Sequence, residues 1–93
     1  MIQNMIKENG QVMYIGPAIR GIVKNGAVFT AGIPKKLERL AGKKPIIRKL
    51  IVPISEIVQA KKDLDTAGSV TSAAYDRILS LSETEIREIT EVE

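Results

Sequence analysis

The stretch Tyr14 to Pro34, YIGPAIRGIVKNGAVFTAGIP, sets Gly16-Pro17, Asn25-Gly26 and Gly32-Ile33-Pro34 around two short apolar runs. Asn-Gly between apolar runs is a strong hairpin signal, because both residues tolerate the positive φ of a two-residue turn. Folding about Asn25-Gly26 predicts Val23 opposite Val28 and Ile22 opposite Phe29. Side chains alternate along a strand, so the two pairs fall on opposite faces and both faces are apolar. Such a sheet needs a helix or a partner chain on each side. Pro34 then suits the first helical position, where its missing N–H would have no partner anyway.

C-terminal to this stretch, Leu37, Leu40 and Ala41 share one helical face and Gly42 is expected to cap the helix. Residues 46–52, IIRKLIV, are β-branched and bracketed by Pro45 and Pro53, which predicts a strand. Ile54, Ile57, Val58 and Leu64 mark a second helical stripe that ends near Gly68. Val70, Ala74, Ile78 and Leu81 mark a third, with Tyr75 and Leu79 beside it. Ser82 and Glu85 form a capping box that would start a short terminal helix carrying Ile86 and Ile89. That segment is too short to be stable alone. On the N-terminal side, Asn9-Gly10 is a second turn signal. A strand before it would pair with the strand after it, or else residues 1–6 form an arm. The expected organisation is an arm or extra strand over 1–13, an α+β core over 14–81 and an acidic tail or short helix over 82–93. The fold class is α+β: a small, mostly antiparallel sheet, made of the Asn25-Gly26 hairpin and strand 46–52, with three short helices.

With 93 residues the chain is one small domain and buries only a modest core. It has neither cysteine nor histidine, so thiolate, disulfide and imidazole chemistry are excluded. Three aromatic residues, Tyr14, Phe29 and Tyr75, leave the core to Ile, Val and Leu. No signal peptide and no apolar run long enough to span a bilayer is evident, so a cytoplasmic protein without membrane contacts is expected. A carboxylate-only metal site has one candidate pair, Asp63 and Asp65, but two residues apart on a helix they diverge. No phosphate-binding glycine fingerprint is present. No cofactor, metal or catalytic residue is expected, and the chain is read as a non-enzyme.

Charge is sharply segregated. Between Lys35 and Lys49 seven cations, Lys35, Lys36, Arg39, Lys43, Lys44, Arg48 and Lys49, face one anion, Glu38. Between Glu83 and Glu93 five glutamates face only Arg87. Such separation favours oriented contact with another surface. The basic block is one candidate interface. The terminal segment, with Glu85, Ile86, Glu88, Ile89 and Glu91, is the other. Block against tail would give a head-to-tail contact able to close a ring, unless the tail folds back over the block of its own chain. Nucleic acid is the rival partner, since the block offers several phosphate contacts, although no aromatic residue interleaves with it.

The patterns Y-I-G-P-x-I at Tyr14 to Ile19, N-G and F-T-x-G-x-P within Asn25 to Pro34, and P-x-I-x-x-L-I-V-P at Pro45 to Pro53 resemble a group of small proteins from phages, prophages and phage-tail-like particles of Gram-positive bacteria. The resemblance extends weakly to about Leu81 and leaves out residues 1–13 and 82–93. It implies a structural or assembly subunit at a neck, collar or head–tail joint. Its partners would be further copies of itself and other particle proteins, in the host cytoplasm during assembly and then in the virion or particle. The alternative is a nucleic-acid-binding or regulatory phage protein that uses residues 35–49.

Overall fold

The computed structural model describes residues 11–91. Its sheet is built on Val12–Tyr14 (β1), which pairs antiparallel with Val28–Phe29 (β2) on one side and Ile51–Pro53 (β3) on the other. Helices Lys35–Lys43 (α1), Ile57–Leu64 (α2), Val70–Leu79 (α3) and Glu83–Thr90 (α4) complete the α+β architecture, with 3₁₀ turns at Pro45–Leu50 and Ile54–Glu56. The strand expected after Gly10 is therefore present, and it is central. The expected boundary between residues 13 and 14 falls inside it. The hairpin partner proposed for it before Asn9 lies outside the described residues, while both edges of β1 are already occupied by β2 and β3.

The hairpin differs from its sequence reading in a specific way. Phe29 stands opposite Val12 and Val28 opposite Met13, so the partner strand is β1 rather than residues 22–23. Asn25-Gly26 is nonetheless a turn: the Ala27 N–H donates to the Lys24 carbonyl at 3.1 Å. Of these two residues only Gly26 has positive φ, at 90°; among the described residues positive φ is confined to glycines. That is the type II pattern, with glycine at the third position, not the primed two-residue turn. The chain then re-enters the sheet through a bulge. The Gly26 N–H donates to Tyr14 O at 2.8 Å and the Tyr14 N–H donates to Ala27 O at 2.9 Å, so two residues oppose one. Ile19 and Val23, both buried, close a separate small turn through reciprocal backbone bonds.

The segment expected as strand 46–52 is 3₁₀-helical up to Leu50, and only its last residues enter β3. Side-chain geometry explains the difference. A strand would place Arg48 and Lys49 on opposite faces, burying one cation. A helix with three residues per turn puts Ile47 and Leu50 on one face and leaves both cations outside. Ile47 and Leu50 are fully buried and Arg48 and Lys49 exposed. Pro45 occupies the first helical turn, where its fixed φ fits.

Helix α1 buries Leu37, Leu40 and Ala41 completely, as their spacing predicts. Each leucine contributes roughly 1.5–3 kcal/mol by leaving water. Pro34 is the residue before the first helical one rather than the first, and Gly42 lies within the helix, which ends at Lys43 with Lys44 as its cap. In α2 the deepest residue is Ala60, and Val58 faces solvent at 75% exposure. In α3, Ala74 and Ile78 are buried, while Val70 and Leu79, each 62% exposed, sit at its two ends. The Ser82 hydroxyl accepts the Glu85 N–H at 3.0 Å, as the capping box predicts. Ser69 does the same for Ser72 in α3.

Candidate interaction surfaces

The residues of the Y-I-G-P and N-G patterns meet in space, and they do so as structure. Tyr14 is fully buried and its hydroxyl donates to Pro17 O at 2.7 Å, folding the side chain back over its own backbone. Asn25 Nδ2 donates to Gly16 O at 2.8 Å, which ties the turn to the start of the loop. Gly16 lies against the tyrosine ring. A Cβ there would stand 2.6 Å from Tyr14 Oη and 2.7 Å from Leu50 Cδ1. Burial pushes the Tyr14 phenol well above its ordinary range, and neighbouring Tyr75 adds to the effect. The phenol thus stays protonated and donates its hydrogen bond. It holds a loop and presents no reactive group to solvent.

The two charge blocks also meet, within one chain. Helix α4 packs along α1, with Ile86 and Ile89 against the core and Thr90 buried. Lys44 Nζ lies 3.1 Å from Glu85 Oε2, and Arg39 Nη1 donates to Thr90 O at 3.0 Å, at the carbonyl end of α4 where a cation is favourable. The terminal segment therefore docks on its own basic helix, the fold-back arrangement. Of the seven block cations, Lys35, Lys36, Lys43, Arg48 and Lys49 remain exposed, whereas Arg39 and Lys44 are half-buried. Of the tail residues, Glu88 and Glu91 are exposed, and Glu85, Ile86 and Ile89 are half-buried.

A third surface was not foreseen from the sequence. The segment from Ala18 to Phe29 encloses an open groove of about 640 Å³, with Ile19, Ile22, Val23, Ala27 and Phe29 along it. Its ionisable lining residues are Arg20 and Lys24, both exposed and neither ion-paired among the described residues. The only sequence signal for it was the excess of apolar residues between Ile19 and Phe29 over what a two-stranded hairpin would bury. Among the described residues no group of three or more Asp or Glu side chains gathers to hold a metal ion, and no helix is long and apolar enough to cross a membrane. No family model, curated protein or solved structure matches this chain.

Proposed function

We propose that the protein is a non-enzymatic structural or assembly subunit of a phage or contractile phage-tail-like particle, at a neck, collar or head–tail joint, acting through ring formation or adaptor contacts. The observation that carries the reading is the amount of large apolar side chain left on the surface of so small a domain. Val28, Ile54, Val58, Val70 and Leu79 are all exposed. They lie on the sheet, on the turn after it and on two helices, so contacts built on them would reach neighbours in more than one direction. The motif resemblance at Tyr14 to Pro53 supplies the particle context. Because α4 covers part of α1 in the same chain, contacts between subunits would use the apolar positions and the exposed cations instead of a basic-block-to-tail pairing.

Sedimentation velocity across protein concentration and salt, alone and with the neighbouring particle proteins, is the test. Concentration-dependent assembly supports the reading. A monomer that stays inert towards all of them refutes it. The five exposed block cations favour one rival, a nucleic-acid-binding protein, which predicts steeply salt-dependent binding to DNA.

A further inference from the structure

The groove along residues 18–29 joins three features that bear on one kind of ligand. Ile22, Ala27 and Phe29 along it are only half-buried, over a floor of buried Ile19 and Val23. Among the described residues its charged side chains are both cations. It also adjoins β2, which among the described residues is an edge strand bonded on one side only. The bonding pattern fixes which backbone groups are left over. Residues Gln11 and Ile15 bond towards β3, through Ile54 N–H to Gln11 O and Ile15 N–H to Leu50 O, while Tyr14 bonds towards β2. Alternation then makes Val12 and Phe29 the hydrogen-bonded pair and turns the N–H and carbonyl of Val28 away from β1.

We propose that this groove holds an extended segment of a partner protein in which apolar and acidic side chains alternate, added to the sheet beside β2. Main-chain bonds to Val28 would give the segment its direction, and every second side chain would enter the groove, as in other strand-addition complexes. Its carboxylates would meet Arg20 and Lys24. The inference rests on the assembly reading only in taking the ligand to be a protein.

The full chain is titrated against a fluorescein-labelled peptide of alternating Glu and Val, with a Lys/Val peptide of equal length as control. Anisotropy reports binding. Phe29→Trp gives a local signal, since the chain contains no tryptophan. The Glu/Val peptide is expected to bind about tenfold or more tighter than the Lys/Val peptide, and Arg20→Glu with Lys24→Glu to reverse that order. N-methylation of the Glu/Val peptide at alternate residues should abolish binding in one register and spare it in the other. Equal affinity for both peptides, no binding, or insensitivity to both N-methylated registers would overturn the proposal. So would tighter binding of a single-stranded oligonucleotide, or a concentration-dependent dimer that the double reversal dissolves. A protein that assembles yet ignores the peptide overturns this inference alone. One that binds the peptide yet remains an inert monomer with particle proteins overturns the assembly reading alone.

Discussion

Replacing Gly16 by alanine adds one methyl group at the most crowded backbone position of the Tyr14 loop. Its φ is not positive, so the expected cost is one of space, not backbone strain. The new Cβ would sit 2.6 Å from Tyr14 Oη and 2.7 Å from both Tyr14 Cζ and Leu50 Cδ1. Carbon contacts prefer separations of about 3.5–4.0 Å, so both neighbours must retreat by close to 1 Å. Neither has an outlet, because both are fully buried. Overpacking of this kind costs about 1–3 kcal/mol. Displacing the ring also breaks the bond from its hydroxyl to Pro17 O and leaves a buried carbonyl unpaired, at about 1–3 kcal/mol more. A loss of about 3 kcal/mol, and a fall in Tm of more than about 10 °C, is expected for a domain of this size. Circular dichroism during heating and urea denaturation measure it. Gly42→Ala is the control. It lies inside α1 with nothing within 4 Å of the added Cβ, and should stabilise by up to about 1 kcal/mol. If Gly16→Ala melts with the wild type, the ring does not lie over the glycine and the account of this loop is wrong.

Gly26→Val should cost about 1–2 kcal/mol, a purely conformational loss, since the site is open and φ is 90°; an unchanged urea midpoint would contradict the turn. Ser69→Ala and Ser82→Ala should each cost about 1 kcal/mol through the lost helix caps, and a double variant no less stable than either single one would show that the caps are not formed. The Tyr14 phenol has its affinity for a proton raised by folding, so the unfolded chain ionises first as pH climbs. The stability it protects is whole below about pH 10, the unfolded value, and drains away above it. Alkaline denaturation of wild type and Tyr14→Phe should therefore diverge in slope only above that pH, and equal slopes would refute the burial of the phenol. Lys43→Glu with Lys44→Glu should leave the fold intact apart from the solvent-accessible, half-buried Lys44–Glu85 pair, worth about 0–1 kcal/mol. Labelled DNA should bind weakly and at low salt only; strong binding at physiological salt that the reversal removes would favour the nucleic-acid reading.

Local chemistry made some elements legible and tertiary contacts decided the others. The α1 face Leu37-Leu40-Ala41 and the Ser82 cap were readable because each rests on spacing of three or four residues along one helix. Ser69 was not read as a cap because no Glu or Gln follows at the third position to complete the box. The segment 46–52 carries β-branched residues that propensity assigns to a strand, yet two adjacent cations and a leucine three residues after Ile47 suit a three-residue turn better. Asn25-Gly26 marked a turn correctly. Its type depends on Asn25 bonding to Gly16, a residue nine positions away, which no local rule can see. The docking of α4 on α1 was present in the charge pattern as one of two arrangements, and the packing of Ile86 and Ile89 with the Lys44–Glu85 and Arg39–Thr90 contacts separates them. The groove had no motif at all, because it arises where residues 18–23 turn back on themselves instead of pairing with β2.

The sheet places its earliest strand at the centre, between partners that come later in the chain. During synthesis Val12–Tyr14 is therefore made before either of these two partners. Val28–Phe29 supplies one side after the loop has closed, and the other side waits until Pro53 has emerged. At roughly 5–20 residues per second that interval lasts a few seconds, during which α1 is made but the sheet is incomplete. Closing the longer loop carries the larger entropic penalty, so pairing of β1 with β3 is the step expected to limit folding. The bonds from Tyr14 to Pro17 and from Asn25 to Gly16 span only three and nine positions, so they are expected to close first and to gather residues 14–25 locally ahead of the β1–β3 pairing.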